Sequence, residues 1–300
     1  MPAGGVPTRV AMRNVDFYVT PHVVLDIRRL DGALLAIHDG PVVFDDRHSF
    51  TIRIDTAEIG LSGRNLSALM NDYVFHYPGS PLSHLEVRTS GSELVQKGRL
   101  RKGVEIPFEI HARVSVTPEG LIRLHPTKTL ILGVDGGALL GALDLTLERL
   151  MNLEGSHGAS VKGNDILLRP DSLLPPPAIR GRVVAVRVEG DELVQTFAPA
   201  PGATLPPPLV PPDAEAPAYM YYRGGMLRFG KLVMLDAEMQ IVDLDRDARF
   251  GFDLDRYAAQ LVAGYSRTLP DQGLEVFMRD VDGLATHTRA APASPFGASR

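Results

Sequence analysis

A chain of 300 residues is long enough for one large domain or two modest ones with an ample core. At 44% hydrophobic, 22% charged and a formal net charge of -5, it carries no basic excess pointing to a nucleic-acid partner. It contains no cysteine, which excludes disulfide frameworks, thiolate catalysis and cysteine-ligated zinc, and no tryptophan, which leaves an aromatic membrane belt unsupported.

Residues 1–15, MPAGGVPTRVAMRNV, hold no continuous apolar stretch of the kind a signal peptide needs. No later segment approaches the roughly 20 apolar residues of a spanning helix. The expected compartment is the periplasm or envelope if an export signal precedes this chain, and the cytoplasm otherwise. The dominant signal is period-two alternation, the mark of half-buried strands. VDFYV, VVLDIRRL, ALLAI and SFTIRID read as strands; NLSALMND, Asn65 to Asp72, reads as a short helix; HLEVRT and ELVQKGRL resume the strands. The clearest alternation is IPFEIHARVSV, where Ile106, Phe108, Ile110, Ala112, Val114 and Val116 share one face and Glu109, His111, Arg113 and Ser115 the other. Pro107 places the strand start after it or at a sheet edge. Thr117-Pro118-Glu119-Gly120 is a turn, and LIRLHP returns as the second arm of a hairpin.

After TLILGV comes GALLGALDLTLERLMNL, residues 137–153, predicted as a long helix. Leu139, Leu143, Leu147 and Leu150 form a stripe at helical spacing, and Ala142, Leu145, Met151 and Leu153 widen the apolar arc beyond one face. DILLRP, VVAVRVE and ELVQTF follow as strands. VRTSGSELVQ at 87–96 and VRVEGDELVQ at 186–195 agree at seven of ten positions. Both read as strand, Gly-centred turn, strand, with Gly91 and Gly190 supplying positive φ and the motif residues serving as scaffold. A shared turn constraint accounts for the likeness; duplication of a larger unit is the alternative.

Residues 198–218, rich in proline, should form an extended linker or surface crossing. The section 219–284 reads as β-β-α-β packed on the body 1–197, with a hairpin about Asp236-Ala237. Its helix is predicted from Asp253, as N-cap, to Ser266, with Leu254, Tyr257, Leu261 and Tyr265 near one face, and GLEVFMRD closes it. Residues 285–300 are expected to be disordered.

Motifs with chemistry are weak. LGVDGGALLGA, 132–142, follows a strand and opens a helix, but no G-x-G-x-x-G or G-x-x-x-x-G-K-[ST] can be placed there. Asp243, Asp245 and Asp247 begin like a calcium loop, yet the positions needing Gly and Glu hold Ala248 and Leu254, so a solvated acidic turn is expected. The histidines show no ligand spacing, His111 reads as solvent-facing, no G-x-S-x-G occurs, and Asp45-Asp46 reads as a turn. The expectation is a protein without catalysis, metal or cofactor.

Antiparallel strands lead into DGGALLGALDLTLERLMNL, and GNDILLRPDSLLPPPAIRGRVVAVRVEGDELVQTF resumes the sheet. In this order, over roughly residues 10–197, the chain resembles the LmeA-type bacterial phospholipid-binding family, relatives of the TULIP-like lipid-binding superfamily. The resemblance implies an α+β, mainly antiparallel β fold, in which a curled sheet wraps one long apolar helix and leaves an elongated apolar groove. It implies a lipid-binding or lipid-transfer function for a lipid or other long apolar ligand, compatible with peripheral membrane contact. The groove walls would be Phe108, Ile110, Val114 and Val116 on the strand, and Leu139, Leu143, Leu147 and Leu150 on the helix. The same pattern would serve a dry core. An envelope assembly protein binding a protein partner through its sheet is the alternative, and a hydrolase or transferase with a dispersed site is a third.

Overall fold

Alternation in the first sixty residues builds long strands. The computed structural model describes residues 6–131, 134–135, 147–150, 153–246, 249–271 and 273–286. Its first four strands are β1 (Thr8–Thr20), β2 (Val23–Ala36), the short β3 (Val42–Val43) and β4 (Phe50–Ser62). VVLDIRRL and ALLAI are one strand, and SFTIRID runs on to Ser62. In each long strand the inward set slips by one residue partway along. Val10 and Met12 give way to Val15, Phe17 and Val19; Val23, Leu25 and Ile27 to Leu30 and Leu34; Phe50, Ile52 and Ile54 to Ala57, Ile59 and Leu61. The slips fall at adjoining levels, marked by Asn14 at φ 52 and by register shifts of β2 against β4 at Ile27/Arg29 and Asp31/Gly32. Irregularities of this kind add twist and bend, and the sheet curls.

Helix α1 (Gly63–Leu69) follows directly, capped by Ser62 Oγ accepting from the Asn65 N–H at 3.2 Å, and continues as a π turn over Met70–Val74. The meander β5 (Leu82–Ser90), β6 (Glu93–Lys102), β7 (Val104–Val116), β8 (Ile122–Ile131) and β9 (Val134–Asp135) forms a second sheet. Helical turn α2 (Leu147–Leu150) precedes β10 (Ala159–Lys162) and β11 (Asp165–Leu168), which complete that sheet in the order β10-β11-β8-β7-β6-β5, with β9 beside β8. Among the described residues β8 pairs with β7 only from Phe108, and Pro107 has its ladder partner, Arg99, on β6. Of the predicted helix 137–153, residues 137–146 and 151–152 lie outside the described residues. Leu147–Leu150 are helical, and Leu153 is not, so the helix ends before its predicted limit. Among the described residues, helix is confined to short pieces and no long apolar helix is seen.

Strands β12 (Ala178–Arg180), β13 (Val183–Glu189) and β14 (Glu192–Phe197) return to the first sheet, β14 antiparallel and β12 parallel to β4. Both repeat segments are two-residue hairpins: Ser90 pairs with Glu93 and Glu189 with Glu192, and Gly91 and Gly190 sit at φ 59 and 62. Glycine at the first central position is what a II′ turn asks for.

The proline-rich residues 198–218 form no helix or strand and strap the outer face of the sheet. Gln240 holds the backbone of Asp213 from both sides, accepting its N–H at 2.7 Å and donating to its carbonyl at 2.9 Å. Asn14 donates to the Pro217 carbonyl at 2.7 Å. Beneath the strap, Ala11, Tyr219, Tyr221, Val242 and Phe277 form a small outer cluster.

The section after the strap is richer than β-β-α-β. It contains β15 (Tyr219–Arg223), β16 (Leu227–Phe229), β17 (Leu232–Met234), β18 (Glu238–Asp243), β19 (Phe250–Asp253), α3 (Tyr257–Val262), β20 (Tyr265–Thr268) and β21 (Leu274–Met278). The tight hairpin joins β16 to β17 at Gly230, not at Asp236-Ala237, while β15 and β18 pair across that insertion. Asp253 ends a strand instead of capping the helix, and Tyr265 lies in β20, so α3 is shorter than predicted. The cause is pairing of 250–253 with β1, which draws those residues into the sheet. The first sheet thus reads β13-β14-β4-β2-β1-β15-β18-β21-β20, with β12 on β4 and β19 on β1, while β16, β17 and β3 form a small third sheet. The architecture is mainly antiparallel β. Asp282–Thr286 make a 3-10 turn, and 287–300 lie outside the described residues.

Two interior details carry predictions. His84 at φ 53 lies in an irregularity of β5 that leaves Leu85 without a strand partner, and Asn71 takes its place. The Asn71 amide accepts from Leu85 N–H at 2.9 Å and donates to Leu85 C=O at 2.7 Å. Replacing Asn71 with Ala strands both groups and is expected to cost about 1–3 kcal/mol in urea denaturation.

Asp243 is 1% exposed, not solvated. Burial, partly offset by the Asp245 N–H it accepts and reinforced by Asp280 and Asp245, pushes its carboxyl up to about 6 from an ordinary 3.8. The folded protein therefore holds this proton where the unfolded chain has lost it, so the group's contribution to stability falls as pH rises from about 4 to 6. Asp243→Asn should raise stability by about 1–3 kcal/mol at pH 8 and change it little at pH 4, read by denaturation at the two pH values.

Candidate functional site

The interior divides into a filled end and a loose one. At the filled end, Phe44 packs against Phe50, Tyr222, Phe229, Phe252 and Tyr257 with ring centroids 5.1–6.4 Å apart. Tyr257 is tied down, its hydroxyl donating to Asp45 at 2.6 Å and accepting from the Gly230 N–H at 2.9 Å. Asp45 thus partners a buried ring from within the turn expected at Asp45-Asp46, which the Asp46 N–H closes by donating to the Val43 carbonyl at 3.0 Å.

At the loose end the inner faces of the two large sheets meet α1 without closing. Three adjoining voids of about 40, 40 and 20 Å³ run between them. By the measure that one water needs about 10–15 Å³, each holds only a few such groups. They are joined by shared walls: Met70 and Leu168 line all three, Leu66 and Leu193 the first two, and Ile110, Leu124 and Ile166 the last two. The near void reaches Leu25, Ile59 and Phe197 on the first sheet; the far one reaches Phe75, Phe108 and Leu153. The result is an elongated aliphatic seam. No charged side chain lines it among the described residues, and its polar side chains are Gln96 and Gln195.

The seam's position follows from local chemistry. Leu66 and Met70 stand four apart on one helical face, and the Asn71 clasp sets that face over β5. Ile166 and Leu168 alternate inward on β11, as Ile110 and Ala112 do on β7.

Of the residues expected to wall a groove, Phe108 and Ile110 lie on the seam. Val114 and Val116 are half-buried against the core but line none of the three voids. Leu147 is buried at 5% exposure within the same core. Leu139 and Leu143 lie outside the described residues; Leu150 closes the helical turn α2. The described helical wall is α1 with its π turn, where 137–153 was expected. Reasoning from sequence missed Leu66, Met70, Leu124, Ile166, Leu168 and Leu193. The i, i+4 pair in NLSALM and the alternation in DILL were the available signals.

On the outer face of the first sheet lies an ion network. Arg28 meets Glu58 at 3.0 Å, Glu189 at 2.7 Å and Glu192 at 3.1 Å; Arg187 meets Glu58 and Glu189; Arg249 meets Asp16 and Asp26. Arginine bonds, that of Arg187 first for Glu58 and that of Arg28 first for Glu189, hold these two carboxyls below their ordinary range, while burial and then Asp26 raise Glu192. Every arginine in it is paired, and its geometric effect is to pin the β13–β14 hairpin to β2 and β4. His111 is half-buried and bonded to Glu109 at 2.8 Å rather than free in solvent.

Among the described residues no three His, Asp or Glu side chains are placed to hold a metal ion, and no helix is long and apolar enough to cross a membrane. A wider concavity of about 990 Å³ opens by the start of β1, between Leu34, Ala36, His38, Arg53, Met226 and Leu235. Compared with known proteins, the chain matches no family model, no curated protein and no solved structure.

The seam is loose where the aromatic end is tight, and substitutions should tell them apart. Leu168→Phe adds volume where the three voids meet and is expected to cost under about 1 kcal/mol. Ile241→Phe, at a fully buried position, is expected to cost about 1–3 kcal/mol, both read by urea denaturation.

Proposed function

We propose that this is a non-catalytic lipid-binding or lipid-transfer protein that takes acyl chains between its two large sheets. The observation that carries the reading is the seam: three voids in line, walled mainly by aliphatic side chains and continuous through shared residues. Each methylene moved from water into such a wall gains about 0.8 kcal/mol. The voids are far smaller than an acyl chain, so loading requires the sheets to part. They can, because among the described residues no strand ladder joins one large sheet to the other. Parting them breaks mainly side-chain contacts, and the turn-to-turn bond from Thr89 Oγ1 to Gly190 O at 2.9 Å can act as a clasp at one end. Leu147 is buried and Leu153, beyond the helical turn, lines the far void, so two described points of the apolar segment 137–153 face the same interior.

A second reading has its own support. Strand β17 is the edge of the small third sheet and exposes Leu232 and Val233, with Leu235 beside them at 76% exposure. An unpaired apolar edge suits a protein partner in an envelope assembly.

The experiment is native mass spectrometry with lipid extraction of the gently purified protein. Co-purifying lipid, reduced by Leu168→Phe in the still-folded variant, is the expected outcome. A folded protein that carries no lipid, takes up no fluorescent phospholipid and holds a stoichiometric protein partner would replace this reading with the second.

A further inference from the structure

Two polar side chains intrude on the seam, and they occupy the same position of the repeated motif. Gln96 closes Glu93-Leu94-Val95-Gln96 on β6, and Gln195 closes Glu192-Leu193-Val194-Gln195 on β14. The two strands run in step. Leu94 and Leu193 are buried on the inner face, Val95 and Val194 are fully buried behind it, and each glutamine returns inward, half-buried. Gln96, paired with Ile110, lines the middle and far voids; Gln195, paired with Ile59, lines the near one.

No side-chain hydrogen bond ties either amide to another described residue, and both glutamines are only half-buried, so neither amide is among the fully buried groups left without a partner. A half-buried amide on an otherwise apolar wall gains less from burial than leucine or methionine would, and either of those would fill the neighbouring void better. Each amide offers two donors and one acceptor without charge. Among the described residues no Lys, Arg or His lines the three voids, so none of them would neutralise a free carboxylate there. A carbonyl oxygen, by contrast, is what an uncharged N–H donor satisfies.

Resting on the lipid-binding reading above, we propose that Gln96 and Gln195 are the ligand's polar contacts: their amide N–H groups bind the ester carbonyls of an acyl-ester lipid, making the seam selective for ester lipids over ether-linked chains of equal length.

The test uses the full chain and two probes, a pyrene-labelled phosphatidylcholine with ester-linked chains and its ether-linked analogue. The wild type is expected to bind the ester probe about tenfold more tightly. Gln96→Leu and Gln195→Leu should each weaken ester binding about 3–10-fold and leave ether binding unchanged, and the double variant should erase the preference. Both should unfold at or above the wild-type temperature; if a Leu variant fails to fold, Gln→Met at the same position replaces it. Equal wild-type binding of the two probes, or ester binding untouched by the substitutions, overturns the assignment while leaving lipid binding in place. A folded wild type that binds neither probe overturns the lipid reading and this inference together.

Discussion

The molecule is organised by the pairing of β1, whose thirteen residues join the two ends of the chain. One edge is laddered to β2 along its length. The other is shared: Arg9–Arg13 pair antiparallel with β15, and Val15–Tyr18 pair parallel with β19. Asn14, in the left-handed region, marks the changeover. Because both partners come from beyond residue 218, the last quarter or so of the chain completes the sheet. Met220, Tyr222, Ile241 and Phe252 are fully buried in it. Closing pairs more than 200 residues apart is entropically expensive, so folding should be slow relative to a protein of local contacts.

That arrangement explains why the interior has two textures. The end served by β15, β18 and β19 is covered on both faces, by aromatic rings inside and the proline strap outside, so every residue of β18 from Met239 to Asp243 is buried. At the other end the two large sheets face each other, and among the described residues α1 with its π turn and the segment 170–174 lie against the space between them. Aliphatic residues from five or more elements meet there, with rings confined to Phe197 at one end and Phe75 and Phe108 at the other among the described residues, and small voids remain. Directed polar bonds act at the margins of this region: Asn71 with Leu85, Thr89 with Gly190, and the arginine network over β2, β4 and β14. They fix where the sheets meet without filling the space between them.

Much of this was legible in the chain. Alternation marked most strands, and a glycine between two short alternating runs marked both repeat hairpins, because a two-residue turn needs positive φ at that point. The phase slips in Val10–Met12–Val15–Phe17 and its counterparts are also written in the sequence, yet a slip reads as two strands until the ladder shows one. For that reason VVLDIRRL and ALLAI looked separate. Phe108 and Ile110 were within reach as seam residues, since their face is apolar. Val114 and Val116 share that face but lie farther along β7, where they pack against the core instead of lining the voids.

By itself, then, the sequence determined local geometry: which residues alternate, where the chain turns, which stretch is too rich in proline to be regular. Those properties depend on near neighbours, and near neighbours are what a sequence displays. Only the tertiary structure decided that 250–253 join β1 instead of starting a helix, that Asp243 is buried, and that Gln96 and Gln195 reach one apolar seam from opposite sheets. Each of these depends on contacts between distant segments, and their energy exists only once the sheets have closed.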